Sequence, residues 1–280
     1  MNDIKMLNIG CGSTFHPDWI NLDIASSNPS VISVNIKSGL PFPADTADVC
    51  YSSHVLEHLN RHGAQNLINE CMRVLKKNGV LRLVVPDLEG IAREYVRIVD
   101  AISLGDKKKF SEYDWILLEM YDQTVRNNSG GEMASFLNSL DQSDRAFSSS
   151  RIGVEAEKFW VTTQPTNKKS WFEYLARKDV FLSLFSVLRQ RVAGFFVLLF
   201  AGKQALKSFE IGLFRNSGEV HQWMYDKYSL TRLLEQAGFV DVKVCSSMES
   251  RIPGFDNYSL DNLNGVVRKP DSLFIEASKP

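Results

Sequence analysis

Over 280 residues the chain sets 32 lysines and arginines against 33 aspartates and glutamates, and 44% of its residues are hydrophobic. That mixture excludes a disordered, collagen-like or disulfide-scaffold protein. A formal net charge of −1 leaves no global field to draw in nucleic acid or an anionic membrane, so any such contact must be local.

The elements follow in order. Ile4 to Ile9 is a short apolar run that stops at Gly10-Cys11-Gly12-Ser13, and predicts a buried strand feeding a glycine turn. Trp19 to Ile24 and Val31 to Ile36 alternate with period two and predict two more strands, with Ala47 to Ser53 as a fourth after the extended turn Leu40-Pro41-Phe42-Pro43. From His62 to Lys77, Leu67, Cys71 and Val74 recur at helical spacing, and Lys76, Lys77 and Gly79 read as the helix ending. Val80 to Val85 predicts a strand closed by Pro86-Asp87, and a helix with Ile91, Tyr95, Ile98 and Ile102 on one face starts at Leu88. The alternation lapses between about Gly105 and Asn216 and returns with a helix at 229–238 and strands at 239–244 and 272–277.

This pattern predicts one α/β domain with a mainly parallel, Rossmann-like sheet, a long helical insertion and a C-terminal strand pair. Residues 1–104 and 217–280 would form the sheet domain, and 105–216 a lid. Only six residues, Ser13 to Asp18, separate the first two predicted strands, and only six, Ala25 to Ser30, the second and third, so the first two helices must shrink to turns. Cys11, Cys50, Cys71 and Cys245 are irregularly spaced, without a CxxC, and no signal-peptide core precedes the first strand. Reduced thiols and a cytoplasmic location are therefore expected. The apolar run Val180 to Gly202 carries Arg189 and Arg191 in its middle, which argues against a spanning helix. A pair of core or cap helices is the preferred reading. The other is a surface helix, residues 180–207, that meets the inner face of a membrane or a second subunit through Arg189, Arg191, Lys203 and Lys207.

Gly10-x-Gly12 lets backbone approach a ligand closely. A dinucleotide fingerprint would want a third glycine where Phe15 stands, which disfavours a nicotinamide enzyme. Asp23, at the end of the second strand, still suits the two hydroxyls of a ribose.

These segments resemble the S-adenosylmethionine-dependent methyltransferases of the Rossmann-like class. Leu7-Asn8-Ile9-Gly10-Cys11-Gly12 looks like their first motif and Trp19 to Asp23 like their ribose-binding strand. Leu40 to His58 is similar to the fourth-strand motif, and Glu70 to Leu81 resembles the helix and fifth strand. The stretch from Gly218 to Leu273 looks like a bacterial subgroup found in surface-polysaccharide assembly. The resemblance implies S-adenosylmethionine as cofactor, with Gly10, Gly12 and the backbone N–H groups of Cys11 and Ser13 on the methionine portion. It places Asp23 and Ile24 at the ribose, Asn35 and Ile36 at the adenine, and Ser53 and His54 beneath the sulfonium.

A hydroxyl acceptor needs a base. His221, in an aromatic run with Trp223 and Tyr225, is the first choice and Asp87 the second, the plain alternatives being a structural histidine and a helix N-cap. Tyr121 and Arg126, beside Gly130-Gly131, would hold a sugar, with Trp223 and Tyr225 completing the acceptor site. His54-x-x-Glu57-His58 resembles the metal-holding run of some quinone-pathway methyltransferases, but the Leu-Glu-His run also occurs in metal-free relatives, and no metal is assigned. The expected activity is O-methylation of a glycan, glycolipid precursor or related small metabolite. The alternative is a cofactor-binding but catalytically silent docking module; the absence of a basic face or an Asn-Pro-Pro-Tyr-like run disfavours a nucleic-acid substrate.

Overall fold

The computed structural model describes residues 4–24, 28–162 and 178–280. Its main sheet has seven strands: β1 (Met6–Ile9), β2 (Ile20–Asp23), β3 (Val31–Ser33), β4 (Ala47–Ser53), β5 (Leu75–Pro86), β6 (Val240–Cys245) and β9 (Ser272–Ser278). They lie in the order β3-β2-β1-β4-β5-β9-β6. The first five run parallel, and β9 is antiparallel to both β5 and β6. A small hairpin, β7 (Asn262–Leu263) with β8 (Val266–Val267), stands apart. Because the order reverses on either side of β1, the carboxyl ends of β1 and β4 open a crevice between diverging connections.

One face of the sheet is covered by α1 (Arg61–Val74) and α8 (Lys227–Gln236). Ala64, Leu67, Ile68, Cys71 and Val74 recur every three or four residues of α1, so one stripe reaches the strands, and Leu230 and Leu234 of α8 join the same core. Asp226 starts α8 through a capping box, its carboxylate accepting from Ser229 N at 2.7 Å. On the other face aromatic side chains replace the shortened crossovers. Among the described residues no helix joins β1 to β2 or β2 to β3. Trp19 lies edge-on to Tyr51 and Tyr258, beside Phe255.

The predicted ending of α1 is corrected. The helix stops at Val74, because Leu75 already pairs with Ala47 of β4 and Lys76 reaches Asp48 at 2.8 Å. The left-handed residue is Asn78 (φ 62°), while Gly79 gives room for Lys76 O, which would lie 2.8 Å from a Cβ there. All four cysteines are free thiols.

Below the aromatic layer Arg82 of β5 is wholly buried. Its Nε meets Asp261 at 2.7 Å and its Nη1 meets Glu276 of β9 at 2.8 Å, and Asp261 also accepts from the Tyr51 hydroxyl at 2.6 Å. Phe255 and Phe274 lie over the guanidinium.

The insertion follows α2 (Leu88–Ser103) and comprises α3 (Phe110–Val125), α4 (Gly131–Ser139), α5 (Ala146–Ile152), α6 (Val154–Thr162) and α7 (Lys178–Arg215). Ile91 and Ile98 of α2 pack on Ile116 of α3, and Arg151 holds Glu119 at 2.7 Å. At the start of α6, Val154 N donates to Arg268 O, which sets this helix against the C-terminal strands. α7 is broken at Gly202 (φ 84°, ψ −179°). A Cβ at Gly194 would lie 3.2 Å from Leu206 Cδ1, so the two arms run back alongside each other as a hairpin. The reading of the described part of Val180 to Gly202 as core or cap helix is thereby corrected: from Leu188 to Phe200 the large apolar side chains are exposed, because nothing among the described residues packs over them.

Candidate active site

A cavity of about 250 Å3 opens at the carboxyl ends of β1 and β4. Its floor is the glycine turn. Gly10 and Gly12 both have positive φ, and a Cβ at Gly10 would overlap Val55 Cγ2, so only glycine fits there. Cys11, Ser13 and Thr14 continue this wall; Ser53 and His54 at the end of β4 form the next. Glu155 and Lys158 of α6 face them from the insertion, and Asp261, Arg268 and Lys269 close the site from the C-terminal hairpin.

The predicted cofactor residues Gly10, Cys11, Gly12, Ser13, Ser53 and His54 are therefore brought together. Asp23 acts through the turn: its Oδ2 accepts from Gly12 N at 2.8 Å. Two details differ from expectation. The Cys11 N–H is committed to Leu22 O at 3.0 Å, so this residue offers the cavity its thiol, which burial and the nearby Asp23 push up to about 11 and so keep neutral. Asn35 uses its side chain to cap the 3-10 turn that begins at Ile36, accepting from Lys37 N, and neither residue lines the cavity; nor does Ile24. The predicted adenine frame is thus a turn in this structure.

His54 has the most constrained position. Its φ of 53° is rare for a residue with a side chain, and its N–H is fixed to Val84 O. Nε2 lies 2.8 Å from Ser272 Oγ, and Nδ1 lies 3.2 Å from Glu57 Oε1. Glu57 is fully buried, and apart from this contact neither carboxylate oxygen has an aligned donor among the described residues. Burial pushes its pKa up, but the imidazoles of His54, His221 and His58 outweigh that and hold it at about 2. An ionised carboxylate 3.2 Å from Nδ1 favours the tautomer protonated there, in which Nε2 is the acceptor.

The residues read as base and acceptor site do not gather here. His221 is 4% exposed, its ring packs edge-on against His58, its backbone N–H donates to Gln123 O, and it does not line the cavity. Asp87 spends its carboxylate capping α2 through Glu89 N. Tyr121 and Arg126 line a separate depression on α3, where Arg126 is paired with Glu219 at 3.2 Å. Trp223 and Tyr225 border another beside Arg61, whose guanidinium lies over the indole. What the sequence pattern missed are Glu155, Lys158, Asp261, Arg268 and Lys269, which carry no local motif. The ligand atoms of Glu57, His58 and His221 lie within 4.8 Å of one another, so a divalent ion would fit this set rather than His54, Glu57 and His58.

Burial holds the His221 imidazole at about 3, so it stays neutral in the fold. The unfolded chain takes up a proton there as pH falls below 6.5 and the fold does not, so stability is lost from about pH 6.5 down to about 3. His221→Gln is expected to flatten this dependence by up to about 1.4 kcal/mol per pH unit, read from urea midpoints between pH 6.5 and 5, above the range in which Glu57 titrates.

Residues 21–83 match the family model described as a methyltransferase domain. The chain carries a methyltransferase domain. The cofactor of this enzyme is S-adenosylmethionine. No curated protein sequence matches the chain. Among solved structures, the methyltransferase is similar to an S-adenosylmethionine-dependent methyltransferase from Archaeoglobus fulgidus at 12% identity, covering 99% of this chain and 86% of that one with a TM-score of 0.39. It is also similar to a protein from Listeria monocytogenes assigned to the same activity, at 13% identity over 100% of this chain and 92% of that one, TM-score 0.37. The cavity fits the cofactor: a Cβ-free turn lets backbone approach it, and polar groups converge on both sides. Asp23→Ala removes the acceptor that holds Gly12 N and is expected to weaken S-adenosylhomocysteine binding about tenfold, read by calorimetry, the loss of one charge-assisted hydrogen bond.

Proposed function

We propose that this methyltransferase acts on oxygen of a hydroxyl-bearing polar acceptor, a glycan or glycan-like metabolite, with His54 as general base. The observation that carries the reading is His54 on the cavity wall, backed at 3.2 Å by the buried Glu57 carboxylate. When bound, S-adenosylmethionine supplies an electrophilic methyl group on a sulfonium. Gly10, Gly12 and Ser13 would hold the cofactor with Ser53, and His54 Nε2 takes the proton that the acceptor hydroxyl loses as its oxygen gains the methyl. Glu57 steadies the imidazolium so formed. Ser272, 2.8 Å from Nε2, keeps the ring pointed before the acceptor arrives.

Glu155, Lys158, Arg268 and Lys269 support a polar acceptor, since charged groups from the insertion and the C-terminal hairpin face the glycine turn. The insertion then works as a lid that excludes water once the acceptor is seated. Assembly of a surface polysaccharide is a context in which such an acceptor would be met. The test is release of S-adenosylhomocysteine on incubation with S-adenosylmethionine and a panel of sugars, sugar phosphates and amines. Turnover with a sugar that stops when one hydroxyl is removed supports oxygen transfer; turnover with amines alone overturns it.

A further inference from the structure

We propose that the α7 hairpin docks this protein on an anionic membrane surface, with the first arm lying flat among the headgroups. Leu188, Val192, Phe195, Phe196, Leu199 and Phe200 recur every three or four residues and share one outward face of that arm. All are exposed, from 47% at Val192 to 80% at Phe200. The opposite face meets the second arm: Gly194 lies against Leu206 and Phe209, and Leu198, 39% exposed, borders the same shallow depression as Leu213. That second arm shows water a different surface, with Lys203, Gln204, Lys207 and Ser208 exposed. The hairpin is thus apolar on one side and polar on the other, the arrangement of a helix lying in an interface plane.

The other occupants of such a stripe fit less well. By length and composition Leu188–Arg215 could cross a bilayer. However, Gly202 folds the segment back, and only the eleven residues from Val192 to Gly202 are free of charge between Arg191 and Lys203, about half of the roughly 20 that a span requires. A second copy would bring like charges together. Residues 188–215 hold five cations, Arg189, Arg191, Lys203, Lys207 and Arg215, against Glu210 alone, in a chain whose net charge is −1. An anionic bilayer takes both the aromatic stripe and the cations around it. Arg215 fixes the root of the hairpin, its Nη atoms donating to Thr124 O and Arg126 O at the end of α3, so a docked hairpin orients the domain behind it.

The experiment is flotation of the full chain with vesicles of phosphatidylcholine alone and of phosphatidylcholine mixed with phosphatidylglycerol. The wild type is expected to rise with the mixed vesicles, far less with the neutral ones, and to be released by salt. Phe196→Asp with Phe200→Asp should lower the bound fraction roughly tenfold or more, and Lys203→Glu with Lys207→Glu should abolish the preference for phosphatidylglycerol. Unchanged S-adenosylhomocysteine binding shows that each variant is folded, and neither readout depends on which acceptor is methylated. Wild type that stays at the bottom with both vesicles overturns the proposal. So does a dimer, seen by light scattering, that the two aspartates split while no vesicle is bound.

Discussion

His54→Asn is expected to lower kcat by about 10²–10⁴-fold, while S-adenosylhomocysteine binding measured by calorimetry changes by a few-fold at most. Asparagine is the fitting replacement because His54 sits at φ 53°, a conformation that asparagine tolerates and most side chains do not. The fold is thus retained and the imidazole alone is lost. If His54 takes the proton, added imidazole should restore part of the rate. Glu57→Gln should reduce kcat less, since glutamine can still accept from Nδ1 but no longer steadies a cation beside it. A His54→Asn enzyme with a tenth or more of wild-type kcat would remove the residue from the base role.

Arg82→Met is expected to cost about 3–5 kcal/mol of stability, read from urea unfolding. The methionine fills much of the arginine's volume, so the cavity cost is small. The loss comes mainly from Asp261, 1% exposed at its side chain, which would lose its paired cation, and from Glu276, 3% exposed, which would keep only Arg251, at 3.3 Å, as a cation. Replacing all three, Arg82→Met with Asp261→Asn and Glu276→Gln, should recover a substantial part of the loss, because no buried charge then stands alone. A triple variant no more stable than Arg82→Met would place the cost in packing instead. Tyr51 and Asp261 both line the cofactor cavity, so Arg82→Met should also weaken S-adenosylhomocysteine binding.

The features legible in the sequence are the local ones. β4 was readable from Ala47 to Ser53 because a short apolar run and a preceding proline turn mark it within about ten positions. The glycine turn and the Ser53-His54 step were readable for the same reason, and the shortened crossovers followed from counting residues between strands. What escaped depends on long-range pairing. Arg82 looks like an interruption in a β-branched run until β9 and the loop before β7 bring Glu276 and Asp261 to it. His221 and Trp223 stand two residues apart in a suggestive aromatic run. Yet His221 turns into the interior against His58, whereas Trp223 turns out against Arg61. Tyr121 and Arg126 fit a sugar site by type, and an acid 93 residues along the chain, Glu219, claims Arg126 instead. The apolar run reads as a pair of helices, and the break between the two arms falls at its end, at Gly202.

The position of β9 bears on how the chain is made. This strand is made after every other strand of the sheet, but it sits inside the sheet, between β5 and β6, not at an edge. Until it leaves the ribosome, β5 keeps an open side and Arg82 has no Glu276 to meet. A nascent chain held short of Ser272 is therefore expected to remain protease-sensitive and dependent on chaperones, with the sheet closing only once β9 has emerged.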